Sequence, residues 1–497
     1  MRRCGFILFF ISLCLVITGC SDQTKRPVVE MDIPMTYKER TDLEYQELNV
    51  ALPPLSASHE DNMDHINLII EELNKMTMEK INTKVVFTFM SRGHLVYETL
   101  MQLSSGDSDI VYCGNHLAED TNLPYLVSQG HVKDFSQMMK LHAPSLNEAF
   151  QTVEFFDLMK IGDGIYGVPL YMPYTNMPVA MIKKGVSTEG VKIETFDDIY
   201  TILINNNLQE NKVLFYSDIG CMPIRSADVF SSIHDYYELP LFSRSGYLCD
   251  TKNDRIVRIE DSEMMDDIDL FLYYYDQYGA DTNYENALNN TDIGIIITTF
   301  TEFYRYPSGD DSFDYYLLYK DKKFNVFTNV PVYVISSSSL KSERAIILLD
   351  FLFSDREANI LASWGIENQN DRYENGARIN MNIFSLMSIY NPQVIAPTRM
   401  NTEDFYDIYH GYLSGTYVPE MLSKLYKDYD LTKEYRSGLR SDEYSLKERE
   451  DLILKYIMAI GKEEKYKKFE EMIHDLNKTT DLSEKIKGFL ESIGAVH

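Results

Sequence analysis

The sequence predicts an α/β protein whose chain opens on a parallel, doubly wound sheet. Segments 48–52, 85–90 and 109–112 have the apolar, strand-like character of β-structure. Between them lie two stretches, 63–73 and 95–103, with apolar residues at helical spacing. A β-α-β-α-β order with crossings long enough to hold helices belongs to parallel sheets. Composition agrees: 44% hydrophobic and 25% charged over 497 residues is an ordinary globular balance. That length suggests roughly three folding units, or fewer large ones.

Pro53 and Pro54 end the first strand, and Asp61 and Asn62 are candidate caps for a helix with Met63, Ile66, Ile70 and Leu73 on one face. Farther along, extended segments are expected at 167–181, 293–299 and 330–335, and helices at 195–204, 264–278 and 342–353. The region from about 445 reads as helical, with Ser445 and Glu448 as a capping box before Leu452, Ile453, Tyr456, Ile457 and Ile460. In doubly wound sheets ligands bind beyond the carboxyl ends of the strands. The loops after Leu52 and Tyr112 therefore mark the expected functional edge.

The N-terminus carries an address. Arg2 and Arg3 precede an apolar run over 5–18, too short to span a bilayer but suited to the core of a signal peptide. Ile17-Thr18-Gly19-Cys20 resembles the lipobox of bacterial lipoproteins, which implies cleavage after Gly19 and lipidation of Cys20. Residues 1–19 are thus read as signal peptide, and 20–44, polar with Pro27 and Pro34, as a flexible tether. No later run is long and apolar enough to cross a membrane. The expected location is the outer side of the cell membrane, held by the lipid alone. Cys113, Cys221 and Cys249 remain in the mature chain, and Cys221 and Cys249 could pair. With 76 acidic against 47 basic residues the net charge is −29, which excludes a general nucleic-acid binder.

Several stretches then resemble one family, the solute-binding lipoproteins of ABC importers. Leu103-Ser-Ser-Gly-Asp-Ser-Asp-Ile-Val-Tyr112 is similar to the family's L-x-S-G-D-x-x-D-I-V segment. Val127-Ser-Gln-Gly-His-Val-Lys-Asp-Phe135 resembles the segment that follows it, and Gly162-Asp-Gly-Ile-Tyr-Gly-Val-Pro169 resembles D-G-K-x-Y-G-V-P at the crossover between lobes. Asn289–Gly294 falls where the family has G-x-x-A-M, without the Ala-Met pair. Ser363-Trp-Gly-Ile-Glu-Asn368, with Tyr373 and Gly376, is similar to a stretch of the large Gram-positive carbohydrate-importer branch.

The resemblance implies two α/β lobes joined by a hinge, with a ligand cleft between them. One lobe would hold 45–172 and 333–390, the other 173–332 and 391–497. It implies a monomeric receptor that captures a small solute, an oligosaccharide or related polyhydroxylated compound, and docks on membrane permease subunits. It implies no cofactor, no metal, no catalysis and no nucleic-acid partner. Candidate ligand-binding residues are Asn115 and His116 on the functional edge, Tyr171, Tyr174 and Asn176 at the crossover, Phe300 and Glu302 after a strand end, and Trp364 with Glu367. Aromatic faces stack on sugar rings, and a carboxylate accepts hydroxyl hydrogen bonds strongly. The chain has one Trp, but 36 Tyr and 25 Phe supply similar faces. Glu302 or Glu367 could instead pair with a cationic solute. A secreted carbohydrate-active enzyme and a surface sensor or scaffold lipoprotein stand as rival readings.

Other motifs weaken on inspection. Gly162–Gly167 fits G-x-G-x-x-G, but Pro169 follows where a dinucleotide site needs a helix, so a hairpin is expected. Ser338–Lys341 fits S-x-x-K without the accompanying boxes, so the serine run is read as a cap for the helix over 342–353. Cys113 and His116 are read as a buried thiol and a loop imidazole rather than half of a metal site.

Overall fold

The computed structural model describes residues 36–54, 63–114, 121–171, 175, 177–208, 212–215, 236–238, 247–250, 255–258, 277–279, 287, 292–300, 312–320, 322, 324–325, 330–366, 373–374, 377–378, 386–394, 409, 411 and 416–417. The chain begins with β1 (Gln46–Leu52), α1 (Met63–Ile81), β2 (Thr83–Phe89), α2 (Leu95–Ser105) and β3 (Ile110–Cys113). Strand β1 is central, parallel to β2 on one side and to β3 on the other. Its Val50, Ala51 and Leu52 are consecutive and all fully buried, because both faces of a doubly covered strand are dry. At the edge, β2 alternates, and Lys84 stands opposite Glu47, its ammonium 2.9 Å from the carboxylate. Helix α1 buries Ile66, Ile69, Leu73, Thr77 and Ile81; Met63 is exposed, so the stripe lies slightly round from the expected face.

Three helices follow: α3 (Leu123–Ser128), α4 (Ser136–His142) and α5 (Pro144–Thr152). Next comes the hairpin β4 (Lys160–Ile161) and β5 (Gly164–Ile165), turned by Gly162 at φ 59°, the left-handed region that suits glycine. The expected hairpin is therefore present in place of a phosphate loop. Then β6 (Val168–Pro169) joins the first sheet.

The extended stretch expected over 167–181 is divided between two sheets. After β6 the chain leaves the first sheet and enters a second, built from β7 (Pro178–Lys183) and β8 (Val213–Phe215). Strands β9 (Tyr236–Glu238), β10 (Tyr247–Asp250) and β11 (Arg255–Arg258) form a separate antiparallel sheet. Strands β12 (Ile295–Thr299) and β13 (Phe313–Leu317) complete the second sheet in the order β13-β7-β12-β8. Between β7 and β8 lies α6 (Phe196–Asn205), started by a reciprocal capping box of Thr195 and Asp198. Phe324–Asn325, β14, pairs with Thr416–Tyr417, and β15 (Val332–Ile335) returns to the first sheet.

The first sheet is thus mixed, in the order β2-β1-β3-β15-β6, with β15 antiparallel to both β3 and β6. Helix α7 (Ser342–Ser354) is buried at every position but Glu343, as a helix apolar nearly all round must be. It is followed by α8 (Arg356–Trp364), capped by Asp355.

The helix caps Asp61 and Asn62, most of the helix expected over 264–278, Cys221 and the helical region from 445 lie outside the described residues. Among the described residues no helix is long and apolar enough to cross a membrane.

Two expectations need correction. The tether does not run to residue 44: Tyr37 packs edge-on against Phe351 with ring centroids 5.4 Å apart, and Arg40 N–H donates to the Lys80 carbonyl at 2.8 Å. Nor does the serine run cap α7, whose N-cap is Lys341 with no side-chain cap bond. Ser336, Ser338 and Ser339 bond among themselves and to Asp109 and the Leu103 carbonyl, which holds a turn rather than a helix end.

Candidate functional site

Register decides what meets at the functional edge. Val332 pairs with Cys113 and with Pro169, so the start of β15 and the end of β6 lie beside the carboxyl end of β3. Leu170 N–H donates to the Pro331 carbonyl at 3.0 Å, and Tyr390 N–H donates to the Pro169 carbonyl at 3.0 Å. Three passages of the chain are therefore bound together here. Two of them lead to one end of the second sheet: Phe300 N–H donates to Met177 at 2.8 Å and Leu318 N–H to Pro178 at 3.0 Å. The third leads to Tyr409, whose hydroxyl donates to the Pro392 carbonyl at 3.0 Å and whose ring lies 6.2 Å from that of Phe300. Two passages thus carry backbone hydrogen bonds at their described ends on both sheets, and the third is bonded to the first sheet and runs on toward Tyr409 beside Phe300; together they mark the hinge of a two-lobe fold.

The hinge side of the first sheet is tyrosine-rich. Tyr333 is buried, and burial holds its hydroxyl well above the usual phenol range, with Tyr171 and Tyr112 adding to the effect. Tyr171, half-buried two residues after β6, is the one crossover candidate whose placement is described. Cys113 is fully buried and its thiol donates to the Thr121 carbonyl, the inert role read for it. Asn122 caps α3 by accepting from Tyr125 N–H at 2.9 Å, which fixes the chain's return from the edge.

Phe300 departs from the sequence expectation. It is fully buried against Tyr409 and presents no face to a solute in this conformation. Thr298, two residues before it, is also buried, with no hydrogen-bond partner for its hydroxyl among the described residues. Trp364 is half-buried on the last residue of α8, just before Gly365. Cys20, Asn115, His116, Tyr174, Asn176, Glu302 and Glu367 lie outside the described residues.

Two of the motif segments carry structural contacts in this chain. Gly106 ends α2 at φ 76°, and a side chain there would press on Ser338 Oγ at 3.1 Å. Asp134 accepts from Ser136 N–H at 2.9 Å and from Ile165 N–H at 3.1 Å, joining α4 to the hairpin. Sequence reading missed Arg344, which is buried and donates to the Ile81 and Asn82 carbonyls and to Thr83 Oγ1, closing the end of α1. A single Arg in an apolar helix was its only signal.

This arrangement is that of the two-lobe solute-binding proteins of ABC importers, and the chain has their fold. The N-glycan transport solute-binding protein NgtS from Streptococcus pneumoniae matches with a TM-score of 0.61 at 13% identity, over 90% of this chain and 99% of that one. Its complex with Man1GlcNAc matches at 0.54 and 14% identity, again over 90% and 99%. An HMO-binding, ABC-transporter-associated protein from Bifidobacterium longum infantis matches at 0.52 and 11% identity, over 90% and 98%. No family model matches the chain, and no curated protein sequence matches it.

Proposed function

We propose that the chain is the lipid-anchored receptor of an ABC importer, that its solute is an oligosaccharide or related polyhydroxylated compound, and that it works as a monomer. The observation that supports this reading is the junction of three chain passages at the end of the first sheet, in a fold whose neighbours include a protein in complex with Man1GlcNAc and one described as HMO-binding. Solute contacts with both lobes would favour a closed form by their differential free energy, and the closed form would dock on permease subunits. The receptor makes and breaks no bond and releases the solute unchanged. The lobes would divide near 172, 332 and 390, close to the three passages. Cys20 would carry the acyl chains, placing the body outside the cytoplasm.

Two experiments test this. Glycans incubated with the protein and recovered intact support a receptor; shortened products contradict it. Cys20→Ser should move the protein from the membrane fraction to the medium, and retention in the membrane fraction would contradict lipid anchoring at this residue.

A further inference from the structure

Residues 37–44 form a strap laid along the first lobe. Tyr37, Arg40 and Leu43 are half-buried, while Lys38, Glu39, Thr41 and Asp42 between them are exposed, so every third residue turns inward. The inner side is tied at both ends. At one end Asn82 Nδ2 donates to the Leu43 carbonyl at 3.0 Å and Arg344 donates to the Glu44 carbonyl at 2.9 Å. At the other end Tyr37 N–H donates to Asp355 Oδ2 at 3.1 Å.

Asp355 has a second task. It is buried, and its Oδ1 accepts from Ala358 N–H at 3.1 Å as the N-cap of α8. One carboxylate thus holds the strap with one oxygen and starts α8 with the other. Helix α8 ends in Trp364, and near that end the Ala362 carbonyl accepts from Leu386 N–H at 2.9 Å and Met387 N–H at 3.2 Å. Asn359, mid-helix, donates to the Ile389 carbonyl at 3.0 Å, one residue before the hinge bond of Tyr390.

We infer that the strap is a positioning device: Tyr37, through Asp355, sets the placement of α8 and so of Trp364 and the third hinge passage. Asp355 and Tyr37 are positioning residues, with no contact to solute required of either. The consequence for affinity rests on the receptor reading; the placement of α8 does not.

The test uses the full chain with Asp355→Ser, Tyr37→Ala and Tyr37→Phe. Serine keeps a good N-cap for α8 but lacks the second oxygen. Hydrogen exchange at Tyr37 and Arg40 reports the strap, and emission and acrylamide quenching of Trp364, the chain's one Trp, report α8. The expected result is fast strap exchange with red-shifted, more quenchable emission in Asp355→Ser and Tyr37→Ala, and wild-type behaviour in Tyr37→Phe. A strap that merely adds stability would lower the unfolding midpoint and leave the emission of the folded protein unchanged. That outcome overturns the inference, as does a strap that stays protected in Asp355→Ser. If Asp355→Ser does not fold, Asp355→Asn, which keeps a capping oxygen but presents an NH2 that cannot accept from Tyr37 N–H, decides by the same two readouts. A several-fold rise in the Kd for a bound glycan should accompany the emission change; no glycan binding in any form, with the emission change present, would count against the receptor reading alone.

Discussion

Ser339 donates its hydroxyl hydrogen to Asp109 Oδ1 at 2.7 Å, joining positions 230 apart in the chain. The other carboxylate oxygen accepts from Asn49 N–H at 2.9 Å, and Asp109 N–H returns a bond to the Asn49 carbonyl at 2.8 Å. One buried side chain therefore ties β1, β3 and the turn after β15 at the end of the sheet away from the hinge. Asp109, the second aspartate of the segment over 103–112, is a clip that holds the returning strand β15 in register.

Asp109→Ala should destabilise the protein by roughly 2–4 kcal/mol, because it leaves buried donors unpaired. Urea unfolding measures this, and solute affinity in the folded variant should be unchanged. A loss below about 1 kcal/mol, the scale of a single net hydrogen bond, would contradict the clip.

Asp350 yields a pH dependence. Its Oδ1 accepts from Leu146 N–H at 2.8 Å at the start of α5, while its Oδ2 is buried without a partner among the described residues. Burial pushes its pKa up from 3.8 to about 7, against the pull of the Leu146 and Ser145 N–H groups. Tyr37 faces it, its own pKa raised to about 12 by burial and then by the Asp350 charge. A raised folded-state pKa gives stability that is fully present below about 4 and is lost as pH rises through about 7. Asp350→Asn should therefore raise the unfolding midpoint at pH 8, with the gain shrinking toward pH 4. A gain independent of pH would contradict the assignment.

Phe300→Ala should act on stability first. Truncating a fully buried Phe costs about 3–5 kcal/mol, and here it also removes the ring that meets Tyr409. Thermal unfolding of the variant checks this. An unchanged midpoint with lost solute binding would restore the stacking role expected from sequence.

Cys113 should resist alkylation in the native protein and react once the chain is unfolded, because its thiol is inaccessible and engaged with Thr121. Peptide mapping after labelling reads this directly, and fast native labelling would contradict the packing of the β3 end.

The opening of the fold was legible because its signals are local. The apolar strands and the helices between them depend on nearest neighbours, and the Thr195–Asp198 box lies within one turn. Partners chosen across the chain were not legible. The serines before α7 look like caps, yet Asp109 and the Leu103 carbonyl take their hydroxyls. Tyr37 sits in a polar stretch that resembles a tether, and only Phe351 and Asp355, more than 300 positions away, show why it is held. Phe300 alternates like a surface strand residue, but Tyr409 from the third passage covers it. Of the candidate site, the strand over the G-V-P segment was legible, and Tyr171 lies two residues beyond its end.

The most direct test of the receptor reading is thermal unfolding of residues 36–497, a span that keeps the strap, across oligosaccharides, polyols, amino acids and polyamines. A ligand at 100 times its Kd adds about 2.7 kcal/mol of stability. The account predicts a clear midpoint rise confined to some glycans; a rise with polyamines alone, or a flat response to every glycan tried, would contradict it.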